Sequence, residues 1–84
     1  MNVEVNILFF AKAREIVGKT NDSLAVETPI TYHSLLNLIA EKYCLQEIKN
    51  NVILAVNKQF GNPEDSYCLK RGDEIAIIPP LSGG

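Results

Sequence analysis

The chain lacks the features of several functional classes. Eight Lys and Arg against ten Asp and Glu leave a net charge of -2, with a pI of about 5.2. The basic footprint that phosphate contacts require is therefore missing. The longest basic run, Lys70-Arg71, reads as a solvated pair at a turn, and no nucleic-acid partner is expected. No stretch approaches the ~20 apolar residues of a membrane span. Met1-Asn2-Val3-Glu4 puts an acid where a signal peptide carries basic residues, and Asn6 interrupts the apolar run that follows. The expectation is a cytoplasmic protein with no membrane partner. Asn21-Asp22-Ser23 fits the N-glycosylation pattern but has no secretory route to give it meaning. Cysteine is limited to Cys44 and Cys68. Their spacing suits neither a CxxC motif nor a metal site nor a disulfide framework, so both read as reduced, inert thiols.

Length is also short. A chain of 84 residues allows one domain and buries only about 60–65% of its unfolded surface. A deep substrate cavity would compete with the core for the same apolar side chains, so a self-contained enzyme is not expected. What the chain does have is the composition of an ordinary folded domain, 46% hydrophobic and 21% charged.

Alternation from Asn2 to Phe10 predicts a half-buried strand, with Val3, Val5, Ile7 and Phe9 on one side and Leu8 and Phe10 on the nominally wet side. Ala11 to Val17 reads as a short helix stopped by Gly18. Leu24, Val26 and Thr28 form a second strand, ended by Pro29 and paired antiparallel with the first across a wide loop. Tyr32 to Tyr43 is the main helix. Thr31 is its N-cap, and Leu35, Leu38, Ile39 and Lys42 recur at helical spacing, with Leu36 and Tyr43 widening the stripe. Val52 to Val56 is a continuous apolar run and reads as a strand buried on both faces. Tyr67-Cys68-Leu69 is a short strand, Lys70 to Asp73 a turn, and Glu74 to Ile78 the last strand. This order predicts an α+β domain of the β-grasp (ubiquitin-like) type, a mixed sheet of about five strands with the helix on one face. If Ile75 and Ile77 face the helix, Ile78 joins Leu8 and Phe10 on the uncovered face and forms a docking patch.

Most motifs fall away. Gly18-Lys19-Thr20 imitates the end of a phosphate-binding loop, but Ala13 stands where the earlier glycine is needed and a helix precedes the glycine. His33 is the single histidine, has no nucleophile at obvious spacing, and reads as a solvated or capping residue. Glu64-Asp65 and Asp73-Glu74 are neighbours whose side chains diverge, so no metal site is expected. The end of the chain differs. Pro79-Pro80-Leu81-Ser82-Gly83-Gly84 follows a strand with two prolines that favour an extended segment. Six extended residues reach about 20 Å, and the two glycines leave the terminal carboxylate slim enough to enter a narrow channel. The division is a domain over 1–78 and an extended tail over 79–84.

Four blocks carry a resemblance: Leu8-Phe9-Phe10-Ala11-Lys12-Ala13-Arg14-Glu15, Ala55-Val56-Asn57, Gly72 to Pro80, and Leu81-Ser82-Gly83-Gly84. Together they resemble the small subunits of molybdopterin synthase, ubiquitin-like sulfur carriers; Leu81 stands where that family more often has valine. The resemblance implies that Gly84 is adenylated by a ubiquitin-activating-enzyme-like adenylyltransferase and sulfurtransferase using ATP, then becomes a thiocarboxylate. It implies that Pro80, Leu81, Ser82 and Gly83 thread a channel in a large subunit. There the sulfur passes to a cyclic pyranopterin monophosphate precursor in molybdenum cofactor biosynthesis, within a heterotetramer of two small and two large subunits. The small subunit binds no cofactor of its own and is not catalytic alone. The interface positions implied are Phe10, Arg14, Phe60 and Ile78. Alternatives are a sulfur carrier for thiazole or transfer-RNA thiolation, or a ubiquitin-like protein modifier joined through Gly84.

Overall fold

The computed structural model describes residues 1–79. Strand β1 (Asn2–Phe9) is followed by helix α1 (Ala11–Val17), β2 (Asn21–Glu27), β3 (Ile30–Thr31), helix α2 (Tyr32–Tyr43), a 3-10 turn at Lys49–Asn51, β4 (Ile53–Val56), β5 (Gln59–Phe60), β6 (Ser66–Tyr67) and β7 (Glu74–Ile78). Five strands form the main sheet in the order β2-β1-β7-β4-β5, and β3 pairs with β6 in a separate two-stranded ribbon. β1 and β2 are antiparallel, as the hairpin reading expected. β7 lies between β1 and β4, parallel to the first and antiparallel to the second. This is the β-grasp arrangement.

Local signals set the element ends. The Thr31 hydroxyl accepts from the Ser34 amide at 3.1 Å and caps α2. Gly18 ends α1 in the left-handed region, φ 80°, with its amide donating to the Arg14 carbonyl at 2.8 Å. Leu35, Ile39 and Ala40 of α2 pack on Val5, Ile7, Phe9, Ile75 and Ile77 in one core. Ile75 and Ile77 are fully buried, so the helix-facing side of β7 is the one that parity assigned. Lys42, on the expected stripe, is instead exposed.

Three readings need correction. β1 stops at Phe9, and Phe10 becomes the N-cap position of α1 with extended backbone. The apolar run at Val52–Val56 is not buried on both faces: Ile53 is 47% exposed while Leu54 is fully buried, because a single helix covers only one side of the sheet. The strand expected at Tyr67-Cys68-Leu69 covers Ser66–Tyr67 instead. Leu69 is a buried plug, its amide donating to the Thr28 hydroxyl at 2.8 Å. Two short strands, β3 and β5, were not anticipated. The tail residues Pro80, Leu81, Ser82, Gly83 and Gly84 lie outside the described residues.

Candidate docking site

The uncovered face of the sheet owes its shape to strand register. Leu8 of β1 is opposite Ala76 of β7, Ala76 is opposite Ala55 of β4, and Ala55 is opposite Phe60 of β5. One row of side chains thus crosses four strands, with two alanines in the middle and larger residues at both ends. Small residues between large ones leave a hollow. Leu8, Phe10, Phe60 and Ile78 wall a concavity of about 260 Å³ whose floor includes Ala55 and Ala76. Phe10 is 46% and Phe60 71% exposed, unusual for aromatic rings with no polar atoms.

The polar rim is Lys58 and Glu74. Lys58 follows Asn57 in the two-residue β4–β5 turn, and both adopt left-handed φ, 71° and 50°, as a tight hairpin requires. The Asn57 amide donates to the Glu74 carbonyl at 2.8 Å, and the Glu74 amide donates to Asn57 Oδ1 at 2.9 Å. This pair clamps the turn to the start of β7 and holds Lys58 at the rim. Ala11, directly after Phe10, is also left-handed, φ 49°. The chain therefore turns sharply where it leaves β1, and Phe10 stays at the mouth of the hollow.

Of the implied interface residues, Phe10, Phe60 and Ile78 come together around one concavity. Arg14 does not line it; it is exposed on α1, its amide 3.4 Å from the Phe10 carbonyl. Sequence reasoning missed Ala55 as part of the floor and Lys58 at the rim. The remaining chemistry is sparse. Cys44 and Cys68 are free and exposed. Among the described residues no group of three or more His, Cys, Asp or Glu could hold a metal, and no helix is long and apolar enough to cross a membrane. The shifted titrations lie away from the hollow. Burial, with a hydrogen bond to Asp22, pushes the Tyr43 phenol up to about 12. The same hydrogen bond, 2.8 Å long, holds the Asp22 carboxyl below its usual range.

The ThiS family model matches residues 7–84. A protein of Drosophila erecta named molybdopterin synthase sulfur carrier subunit is 46% identical over 83 residues, 98% of this chain and 92% of its own. One of the same name from Caenorhabditis briggsae is 42% identical, over 98% of this chain and 99% of its own. Among solved structures, the complex of subunits 1 and 2 of the molybdopterin-converting factor from Helicobacter pylori contains a chain of the same fold. Its TM-score is 0.69 at 24% identity, over 98% of this chain and 100% of that one. Small archaeal modifier protein 1 of Methanosarcina acetivorans also shares the fold, with a TM-score of 0.75 at 24% identity, over 100% of this chain and 99% of that one. With the family sequence running almost from end to end on a β-grasp sheet, the chain belongs to the ThiS family and, within it, to the molybdopterin synthase sulfur carrier subunits.

Proposed function

We propose that the chain carries sulfur on its C-terminal carboxylate and delivers it, as the small subunit of molybdopterin synthase, to a cyclic pyranopterin monophosphate precursor. The carboxylate of Gly84 attacks the α-phosphorus of ATP on the activating enzyme, releasing pyrophosphate and leaving an acyl-adenylate. Sulfide-level sulfur from a donor then attacks the acyl carbon, forming the C–S bond as the bond to AMP breaks, and leaves a thiocarboxylate. The adenylate supplies the leaving group that a bare carboxylate lacks, and the ionised sulfur is the nucleophile of the next step. Pro80, Leu81, Ser82 and Gly83 pass through the partner's channel, and acid–base groups belong to the partner. Two deliveries provide both sulfurs of the dithiolene. The working assembly is a heterotetramer of two small and two large subunits in the cytoplasm, with no cofactor resident on the small one.

The observation that carries this reading is the join between hollow and tail: Ile78, a wall of the concavity, is the last residue of β7. A partner seated over Phe10, Phe60 and Ile78 therefore sits where the tail begins. The test is the intact mass of the protein co-expressed with its activating enzyme. One oxygen-to-sulfur exchange, absent when Gly84 is deleted, is expected. Isopeptide conjugates through Gly84 without that exchange would favour a protein modifier instead.

A further inference from the structure

A second depression lies on the other side of Phe60. The first two turns of α2, the segment 49–53 and the loop after β5 enclose an open groove of about 850 Å³. This is within the roughly 300–1,000 Å³ of sites that take a drug-sized ligand, room for a short peptide. Leu36, Val52, Ile53 and Phe60 give it an apolar wall, Lys49 is its one Lys or Arg, and His33, Tyr32 and three asparagines supply other polar side chains. No Asp or Glu lines it, although the chain carries ten acids against eight bases. The sole ion pair among the described residues is Lys19–Asp22, so Lys49 makes none there. An acidic chain has kept one groove free of acid.

The groove is also continuous with the proposed docking face. Phe60 lines both depressions. Ile53, 47% exposed at the groove wall, pairs across the sheet with Ile78, where β7 ends. Resting on the reading above, we infer that the groove seats an acidic peptide segment of the large subunit. One apolar side chain of that segment packs between Leu36 and Phe60, and its carboxylates face Lys49 and His33. The hollow and the groove then form one surface wrapped around the β4–β5 edge, and the groove contributes partner choice through charge.

The test titrates the full chain into purified large subunit by calorimetry at low and moderate salt. Lys49→Glu, with circular dichroism unchanged, is expected to weaken binding about tenfold and to flatten its salt dependence. Lys49→Arg is expected to keep both, and His33→Asp to weaken binding in the same direction. Full affinity in Lys49→Glu, with binding lost in Phe10→Asp, overturns the groove and leaves the sulfur-carrier reading standing. A Lys49→Glu loss seen against the activating enzyme and not the large subunit also overturns it. Absence of the mass exchange in co-expressed wild-type chain counts instead against the sulfur-carrier reading itself.

Discussion

The Leu54 amide donates to the Tyr32 hydroxyl at 3.1 Å in a buried contact. Leu54 N–H would otherwise be an orphan donor inside the core, and the tyrosine that satisfies it opens α2. One hydrogen bond thus fixes the start of the helix against β4, between the two depressions. Tyr32→Phe keeps the ring but leaves this donor unpaired. A loss of about 1–3 kcal/mol in urea unfolding is expected, and an unchanged midpoint would refute it.

Gly61 is tight for a different reason. A methyl group there would meet the Tyr67 hydroxyl and stand 3.0 Å from the Tyr32 ring. Gly61→Ala is expected to cost about 1–3 kcal/mol by overpacking. Adding Tyr67→Phe removes the hydroxyl in the way, so the double variant should recover part of the loss, and a double-mutant cycle reads the coupling.

Thr28 is the buried polar residue that ties β6 and the following chain to β2. Its hydroxyl accepts from the Leu69 amide at 2.8 Å and donates to the Tyr67 carbonyl at 3.3 Å. Thr28→Val keeps the shape and strands the buried Leu69 amide, an expected loss of about 1–3 kcal/mol. Thr28→Ser loses only a methyl, about 1 kcal/mol. Thermal unfolding of the pair should rank serine above valine.

Tyr43 and Asp22 link stability to pH at both extremes. Tyr43 stacks edge-on against Phe9 at 4.8 Å, and its pKa rises from 10.0 to about 12. A raised folded value means that the contribution is whole below the unfolded pKa and disappears as pH climbs through the folded one. The alkaline window is therefore about 10 to 12. Asp22 has the opposite sign: its carboxyl is lowered from 3.8, so its share is present above that value and fades as pH falls through the lower one. Burial and Asp65 also raise the Tyr67 phenol, so tyrosinate absorbance should show its latest titration near 12, and that step should be lost in Tyr43→Phe. No loss of the late step in Tyr43→Phe would contradict this.

Phe60 separates binding from folding. At 71% exposure on the edge strand β5, its replacement touches little of the core. Phe60→Asp is expected to shift stability by no more than about 0.5 kcal/mol. Burial of the ring at a partner would contribute roughly 1.5–3 kcal/mol, so affinity for the large subunit should fall about tenfold or more. Calorimetry and denaturation on the same sample make the comparison.

Much of this was legible in the chain because its signals are local. Thr31 and Gly18 announce a cap and a stop through chemistry confined to one turn, and parity along β1 and β7 was enough to put Leu8, Phe10 and Ile78 on one face. The five apolar residues Val52–Val56 carry no period, so nothing in them says that Ile53 is open and Leu54 closed. β3 and β5 span two residues each, too few for an alternation to register. The hollow is harder still. Ala55 and Ala76 become a floor only because β4 lies beside β7 in a register that brings them opposite, a relation between residues about twenty apart that no window of sequence contains. Arg14 shows the reverse limit: its position in a resembling block drew attention to it, while the geometry leaves it outside the concavity.

β7 is the last strand among the described residues and the middle strand of the sheet. During synthesis, β1, β2 and α2 exist long before the strand that joins them to β4 and β5. A polypeptide interrupted before Glu74 lacks the strand that joins β1 to β4, and with it the row running from Leu8 to Phe60. The face that would recruit a partner is thus completed only by translation to within a few residues of Gly84.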